Sequence, residues 1–434
     1  MSCLAMDTDS GYWYNNEPTN VRCQFDMKER MMMRGLLTVG AVLLFGVSAG
    51  AAHIDELKSK ISEVFAKSAA HYKALEAAAT PRMWSKDGKP MIPRGFDHEK
   101  REITMDPIHG WRTGHFSGSL WLLHEATGDA FFRDRAIVWT ELLEPNRNLD
   151  WHHDVGFIIM CSFGNARRIL NTDRYDSIIV DSAKALSRRF SDQLGVIRSW
   201  GKIGDEKDFL VIPDNMMNLE LLTVAERLSG EKRFGKVARS HATVTMKNHF
   251  RADGGTYHVL NYSQKDGRIQ EIRRGQGASC FTAWSRGQSW AIYGYTMMYR
   301  ETGDRTYLEF AQKVSDYAIN HPNMPEDGIP YWDFGAPGEE RDSSAGAVMA
   351  AGLVELSKYG DSGKARGYLD FAAKQLLSLA SSAYFSEGNE VGHYLLKHGV
   401  GNKPKGSEID TPLNYGDYYF LEALVRFKEL SCTK

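Results

Sequence analysis

Six times along this chain a short polar and aromatic cluster runs straight into an apolar helical stretch. The clusters are Trp111-Arg-Thr-Gly, Trp151-His-His-Asp-Val-Gly, Ile212-Pro-Asp-Asn-Met-Met-Asn, Trp284-Ser-Arg-Gly-Gln-Ser-Trp, Arg341-Asp-Ser-Ser and Asn414-Tyr-Gly-Asp-Tyr-Tyr. The stretches behind them include Leu120-Trp-Leu-Leu, Ile158-Ile-Met-Cys, Leu219-Glu-Leu-Leu, Ala291-Ile-Tyr-Gly-Tyr, Val348-Met-Ala-Ala-Gly-Leu and Leu421-Glu-Ala-Leu. Recurrence at a coarse period marks a repeat architecture, because each unit buries its apolar face only against its neighbours. Here it also gathers the reactive side chains at helix N-termini.

Between the clusters lie paired helical patterns joined by turns such as Thr127-Gly-Asp, Asn171-Thr-Asp, Ser229-Gly-Glu, Thr302-Gly-Asp and Tyr359-Gly-Asp. Glycine takes the left-handed conformation that ends a helix. Partner helices then open near Phe131, Tyr175, Phe234, Tyr307 and Ala365. With an amphipathic segment from Ile54 to Ala78 and a last helix from Tyr415 to Leu430, the pattern predicts about twelve helices of two alternating kinds. Those behind the clusters are apolar nearly all round, as buried helices are, and the return helices carry one charged face. Six helical hairpins of this sort predict an all-α fold, an (α/α)6 toroid. A solenoid stack is the alternative, but no obvious polar capping repeat is present. One interruption, Thr256 to Tyr262 and then Arg268 to Arg273, reads as a β-hairpin insertion.

The chain has 434 residues, 42% hydrophobic and 25% charged, with a formal net charge of −2. That composition supports a large core and carries no nucleic-acid footprint. Residues 1–52 read as an export segment outside the fold. Lys28-Glu-Arg and Arg34 form a basic region, Gly35 to Val47 an apolar one too short for a comfortable membrane span, and Ala49-Gly50-Ala51 a cleavage site. The residues before Met27 fit this poorly, so the natural start is expected at Met27 or at one of Met31 to Met33. Residues 53–434 form one catalytic domain, expected in the periplasm or outside the cell. Cys161, Cys280 and Cys432 remain, with no spacing for a disulfide framework or zinc, and Cys161 and Cys280 read as buried thiols.

If the buried helices run parallel, the clusters converge on one pocket. They supply Trp111, Trp151, Trp284 and Trp290 as sugar platforms, with Asp154, Asp214, Asp342, Asp417, His152, His153, Arg286 and Gln288. An Asp ahead of an apolar helix serves equally well as an N-cap. His152, His153 and Asp154 are adjacent and point in different directions, which argues against a metal site. An acidic, aromatic pocket suits glycoside chemistry, where a carboxylate pair is the usual equipment.

The clusters Trp151-His-His-Asp-Val-Gly-Phe, Pro213-Asp-Asn-Met-Met-Asn-Leu, Trp284 to Gly294 and Arg341-Asp-Ser-Ser-Ala, with the stretch Ser407 to Phe420, closely resemble the unsaturated glucuronyl hydrolases, glycoside hydrolase family 88. The likeness covers nearly all of the chain after residue 100. It implies an (α/α)6 barrel that uses no metal or cofactor. It also implies an unusual reaction on unsaturated uronyl oligosaccharides from glycosaminoglycan-type polysaccharides. The C4=C5 double bond left on the terminal uronic acid by a lyase is hydrated, and the resulting hemiketal collapses and releases the next sugar. By the resemblance Asp214 is the general acid and then the base toward water, and Asp154 assists it. His258, Gln276, Arg286 and Trp290 fall on positions that hold the unsaturated uronate, and Trp111 and Trp200 look like further sugar contacts. One departure is Gly114-His115-Phe116, where the family has an aromatic after the glycine, which puts the shape of the subsite near Trp111 in question. The basic loop Lys397 to Lys405 has two readings, a contact for the next sugar, a sulfated amino sugar, and a solvated surface loop. The alternatives are an unsaturated rhamnogalacturonyl hydrolase acting on pectin fragments and a catalytically inactive sugar-binding toroid. The expected partner is a di- or oligosaccharide, with the protein a monomer or weak homodimer.

Overall fold

The computed structural model of the chain describes residues 22–23 and 50–432. Thirteen α-helices lie among them: α1 (Gly50–Ala79), α2 (Thr113–Thr127), α3 (Ala130–Glu141), α4 (Val155–Ile159), α5 (Asn165–Leu170), α6 (Asp176–Ser187), α7 (Leu219–Ser229), α8 (Lys232–Asn248), α9 (Ser285–Thr302), α10 (Arg305–Ile319), α11 (Ser343–Leu356), α12 (Ser362–Leu379) and α13 (Asn414–Cys432). A π-helical turn over Met160–Gly164 joins α4 and α5 into one rod, so twelve rods result.

The two kinds of helix expected from the sequence are both present. Every residue of α11 is buried, as is α9 from Ser285 to Met298. The return helices α8 and α10 bury one face, which includes Phe234, Val237 and Ala238 in the first and Leu308, Ala311 and Val314 in the second. The buried rods touch in a cycle: α2 on α4, α4 on α7, α7 on α9, α9 on α11, α11 on α13, and α13 back on α2.

The turns between rods follow from local chemistry. Gly128, Gly230 and Gly303 end α2, α7 and α9 at φ values of 72°, 77° and 70°, which a side chain rarely adopts. The aspartates that come next cap the return helices. Asp129 accepts from Phe131 N–H and Asp304 from Thr306 N–H.

The strands exceed the single insertion expected. β1 (Arg22–Cys23), β2 (Met91–Asp97), β3 (Glu102–Pro107), β4 (Phe190–Ser191), β5 (Val196–Ile197), β6 (Leu210–Val211), β7 (Val259–Tyr262) and β8 (Ile269–Arg273) make three antiparallel sheets. β7 and β8 are the expected hairpin, with Val259 opposite Arg273, and β6 and β1 flank it. Residues 1–52 are expected outside the fold. Arg22 and Cys23 nonetheless pair with Arg273 and Ile272 at the sheet edge; the proposed basic and apolar segments lie outside the described residues, and of the proposed cleavage site Ala49-Gly50-Ala51 the last two residues open α1.

The expectation of a free thiol at Cys280 is corrected: Cys280 is disulfide-bonded. Burial among apolar residues, here Val211, Leu260 and Ile272, suits a thiol and a disulfide equally, so composition alone misses the bond. Cys161 is free and buried as expected. Among the described residues no helix is long and apolar enough to cross a membrane.

Candidate active site

Four clusters offer an Asp at the start of a buried rod, and each has two readings, helix cap or reactive group. The structure separates them. Asp342 caps α11 through Ser344 and Ala345 N–H. Asp417 accepts Leu395 N–H at 2.8 Å, Leu396 N–H at 3.0 Å and the Tyr72 hydroxyl at 3.2 Å. Both are fully buried and structural. Asp154 stands at the N-cap position of α4, yet its side chain makes no cap hydrogen bond; Asp214 lies in the first turn of the 3-10 helix Pro213–Asn218, with its Oδ1 buried and without a partner.

The cap that Asp154 omits comes from another cluster. Asn218 Oδ1 accepts the Phe157 N–H of α4 at 2.9 Å. The approach is tight, since a Cβ on Gly156 would stand 2.5 Å from Asn218 Cα, and only glycine fits there. The second and third clusters are thereby locked together, and the Asp154 carboxylate is left free of helix capping.

Their environments differ. Burial pushes the Asp214 carboxyl up to about 7; Arg286 pulls it back and the charge of nearby Asp154 adds to the rise. Burial also acts on Asp154, but His153, His152 and Arg189 outweigh it and hold that carboxyl below its usual range. His153 is itself pushed down to about 4 by burial and is uncharged at neutral pH. Arg189 is a lasting cation beside Asp154. Two carboxyls driven apart in this way divide into an acid and an anion.

The remaining expected residues join them. Gln276 N–H donates to His258 Nδ1 at 2.7 Å, so the proton of that ring sits on Nε2, which faces Asp214 Oδ1 at 3.9 Å. Burial keeps His258 neutral, pushing it down to about 3. Gln276 Oε1 accepts from Arg286 at 3.3 Å, and the Trp200 ring stands 6.0 Å from that of His258, edge to face. Trp290 helps to hold the Asp214 carboxyl down and packs on Phe157 at 5.2 Å, which packs on Trp111 at 5.5 Å. All eight residues singled out from the sequence thus belong to one connected group.

Two details depart from expectation. Arg286 is only 2% exposed, and its terminal nitrogens already donate to Asp342, Gln276, Val400 O and Gly401 O. Its Nε has no partner. In the basic loop, Lys403 is not free for a sulfate. It pairs with Glu339 at 2.6 Å and with Glu340, and lies over the Trp332 ring. The acidic pair just ahead of the fifth cluster neutralises it.

Other members of the site escaped sequence reasoning. Arg112 pairs with Glu408 at 2.7 Å and with Asp106 at 3.4 Å. Glu408 lies in the Ser407 to Phe420 stretch, but 296 residues separate it from Arg112, and no periodicity reports such a pair. His115 is fully buried among Trp111, Phe157, Tyr415, Tyr418 and Tyr419, so the His fills the space of the expected aromatic. Among the described residues no group of three or more His, Cys, Asp or Glu side chains is arranged to hold a metal ion.

No family model matches the chain. Curated relatives do. An unsaturated glucuronyl hydrolase of Formosa agariphila is 42% identical over 343 residues, covering 78% of this chain and 85% of the relative. Another, from Bacillus sp. strain GL1, is 34% identical over 328 residues, 73% of this chain and 86% of its own. Among solved structures, an unsaturated glucuronyl hydrolase specific for heparin superposes with a TM-score of 0.78 at 37% identity, over 85% of this chain and 97% of that one. With its paired carboxyls in place and relatives matched over most of their length, the chain belongs to the unsaturated glucuronyl hydrolase family of glycoside hydrolases.

Proposed function

We propose that the enzyme hydrates the C4=C5 double bond of a terminal unsaturated uronic acid on glycosaminoglycan-derived oligosaccharides. The carboxylic acid of Asp214 gives its proton to C4, and the cation that develops at C5 is stabilised by the ring oxygen. Water adds at C5 and returns a proton to Asp214. The hemiketal so formed opens and the next sugar leaves. Asp154 stays ionised, which keeps the Asp214 proton in place until it is needed and favours positive charge nearby. His258 offers Nε2–H and Arg286 offers Nε–H toward the substrate carboxylate, and Gln276 orients both. Trp111, Trp200 and Trp290 provide walls for sugar rings.

The observation that carries this reading is the contrast between Asp214, pushed up to about 7, and Asp154, held below its usual range and not used as a helix cap. The test is direct. Unsaturated disaccharides made by lyases from chondroitin, hyaluronan and heparin are incubated with the protein, and loss of the enoate ultraviolet absorbance is followed. Loss on at least one is expected. No loss on any overturns the reading.

The same reading takes the closed cycle of buried rods, each paired with a return helix, as an (α/α)6 toroid with the site at one mouth. It also takes the protein as exported to the periplasm or beyond. Support comes from the basic and apolar run Lys28 to Val47 and from the disulfide at Cys280, since such bonds persist in oxidising compartments. N-terminal sequencing of secreted protein that still carried residues 1–45 would overturn the export segment.

A further inference from the structure

Among the described residues, five large hydrophobic side chains are exposed: Trp84, Val138, Trp151, Ile203 and Phe281. Three of them stand close in sequence to site residues. Trp151 precedes Asp154 by three positions, Ile203 follows Trp200 by three, and Phe281 follows Gln276 by five. Scattered exposed apolar residues need no explanation, but one held rigidly beside a site residue does.

Trp151 is the most constrained of the three. It is 40% exposed yet built on a rigid base. Its ring meets His109 at 5.1 Å and His152 at 6.3 Å, both edge to face, so neither neighbour stacks flat on the indole. His109 Nδ1 is hydrogen-bonded to Asn146 Oδ1 at 2.6 Å, and the buried Asn146 donates to Ile108 O at 2.9 Å. His152 Nε2 bonds to His109 O at 3.0 Å. An indole held this way loses little freedom when a ligand stacks on it, which is how rigid aromatic anchors contribute affinity.

The position limits what can stack there. His152 touches both the indole and Asp154, with Nδ1 3.3 Å from Asp154 Oδ2. Trp151 therefore stands outside the place where the unsaturated ring reacts. Trp111 and Trp200 are half-buried and linked to the carboxyl pair through Phe157 and His258, which leaves them for the reacting sugar and its first neighbour. We infer that Trp151 is a platform for the third sugar, two positions toward the reducing end from the unsaturated uronate, and so sets a preference for longer oligosaccharides. This rests on the proposed reaction.

The test compares Trp151→Ala and Trp151→Phe with the wild type on an unsaturated disaccharide and an unsaturated tetrasaccharide cut from the same polymer. Loss of one stacking contact corresponds to about fivefold in affinity. In Trp151→Ala, kcat/KM on the tetrasaccharide should fall by about that factor through KM, with the disaccharide value within about twofold of wild type and Trp151→Phe in between. A ratio of tetrasaccharide to disaccharide that matches wild type, or an equal fall on both, overturns the platform. Wild-type inactivity on the disaccharide would instead overturn the reaction itself, so the two failures are distinct.

Discussion

Asn218 Oδ1 accepts the Phe157 N–H at 2.9 Å and so caps the helix whose own leading residue is Asp154. An Asp at that position would ordinarily satisfy the free N–H groups itself. With the cap supplied from the third cluster, the Asp154 carboxylate is released to face Asp214. Asn218→Ala should return Asp154 to capping. We expect about 1 kcal/mol lost in stability, by denaturant unfolding, and a disproportionate fall in kcat, at least about tenfold. Asn218→Ala with wild-type kcat would show that the cap does not control Asp154.

Asp214 must be protonated to deliver a proton to C4, and burial pushes it up to about 7. Asp154 must be ionised and is held below the usual range. Activity in kcat/KM should therefore be flat through mildly acidic pH and decline above about 7 by roughly tenfold per pH unit. Asp214→Asn should lower turnover by about a thousandfold or more. Its stability should move the other way. The raised carboxyl of Asp214 contributes stability present below the unfolded pKa and lost as pH rises through about 7. At pH 8 the Asn variant should melt above the wild type, measured by calorimetry. A lower Tm at pH 8, with normal activity, would remove Asp214 from the acid role.

How far the sequence alone reaches depends on the range of the interaction. The buried rods, the glycine C-caps at Gly128, Gly230 and Gly303 and the hairpin around Gly267 are encoded by neighbours in sequence, and these were readable. The cap on Phe157 comes from 61 residues away, so which Asp is free could not be read from spacing; the resemblance alone singled out Asp154 and Asp214. Strand β2 was missed because Met91-Ile-Pro-Arg-Gly carries Pro93 and Gly95, which read as loop. Its pairing with β3 shifts register between those two residues, as a bulge does. Lys403 read as a free cation because its acidic partners, Glu339 and Glu340, lie more than sixty residues earlier.

The same linkage applies to Asp417, which is fully buried and pushed up to about 7 by burial, against the pull of the Leu395 and Leu396 N–H groups. Its contribution is present below the unfolded pKa and is lost as pH rises through about 7, so unfolding free energy should fall between about pH 4 and pH 7 and level off above. Asp417→Ala strands two buried N–H donors and the Tyr72 hydroxyl. A loss of about 3 kcal/mol or more is expected at pH 6, with a shallower fall toward pH 7 than in the wild type. A parallel pH dependence in the two proteins would mean that Asp417 does not titrate in that window.

Arg286 joins the fourth cluster to the fifth and to the basic loop Lys397 to Lys405. It donates to Asp342 Oδ2 at 2.9 Å, to Gly401 O at 2.6 Å and to Val400 O, and reaches Gln276 Oε1 at 3.3 Å. The planar fork of arginine meets four acceptors around one plane, whereas an ammonium is a point donor with a different geometry. Arg286→Lys keeps the charge but leaves carbonyls on the Val400–Gly401 segment unpaired and Asp342 less well held. It also removes the Nε–H that faces no protein partner. Stability should fall by about 3 kcal/mol. Well below the Tm, kcat/KM on an unsaturated disaccharide should fall by about a hundredfold. Gln276→Ala, which touches only one arm of the fork, should cost less on both counts. Near-wild-type KM and Tm in Arg286→Lys would show that charge alone suffices at this position and that the fork geometry is not used.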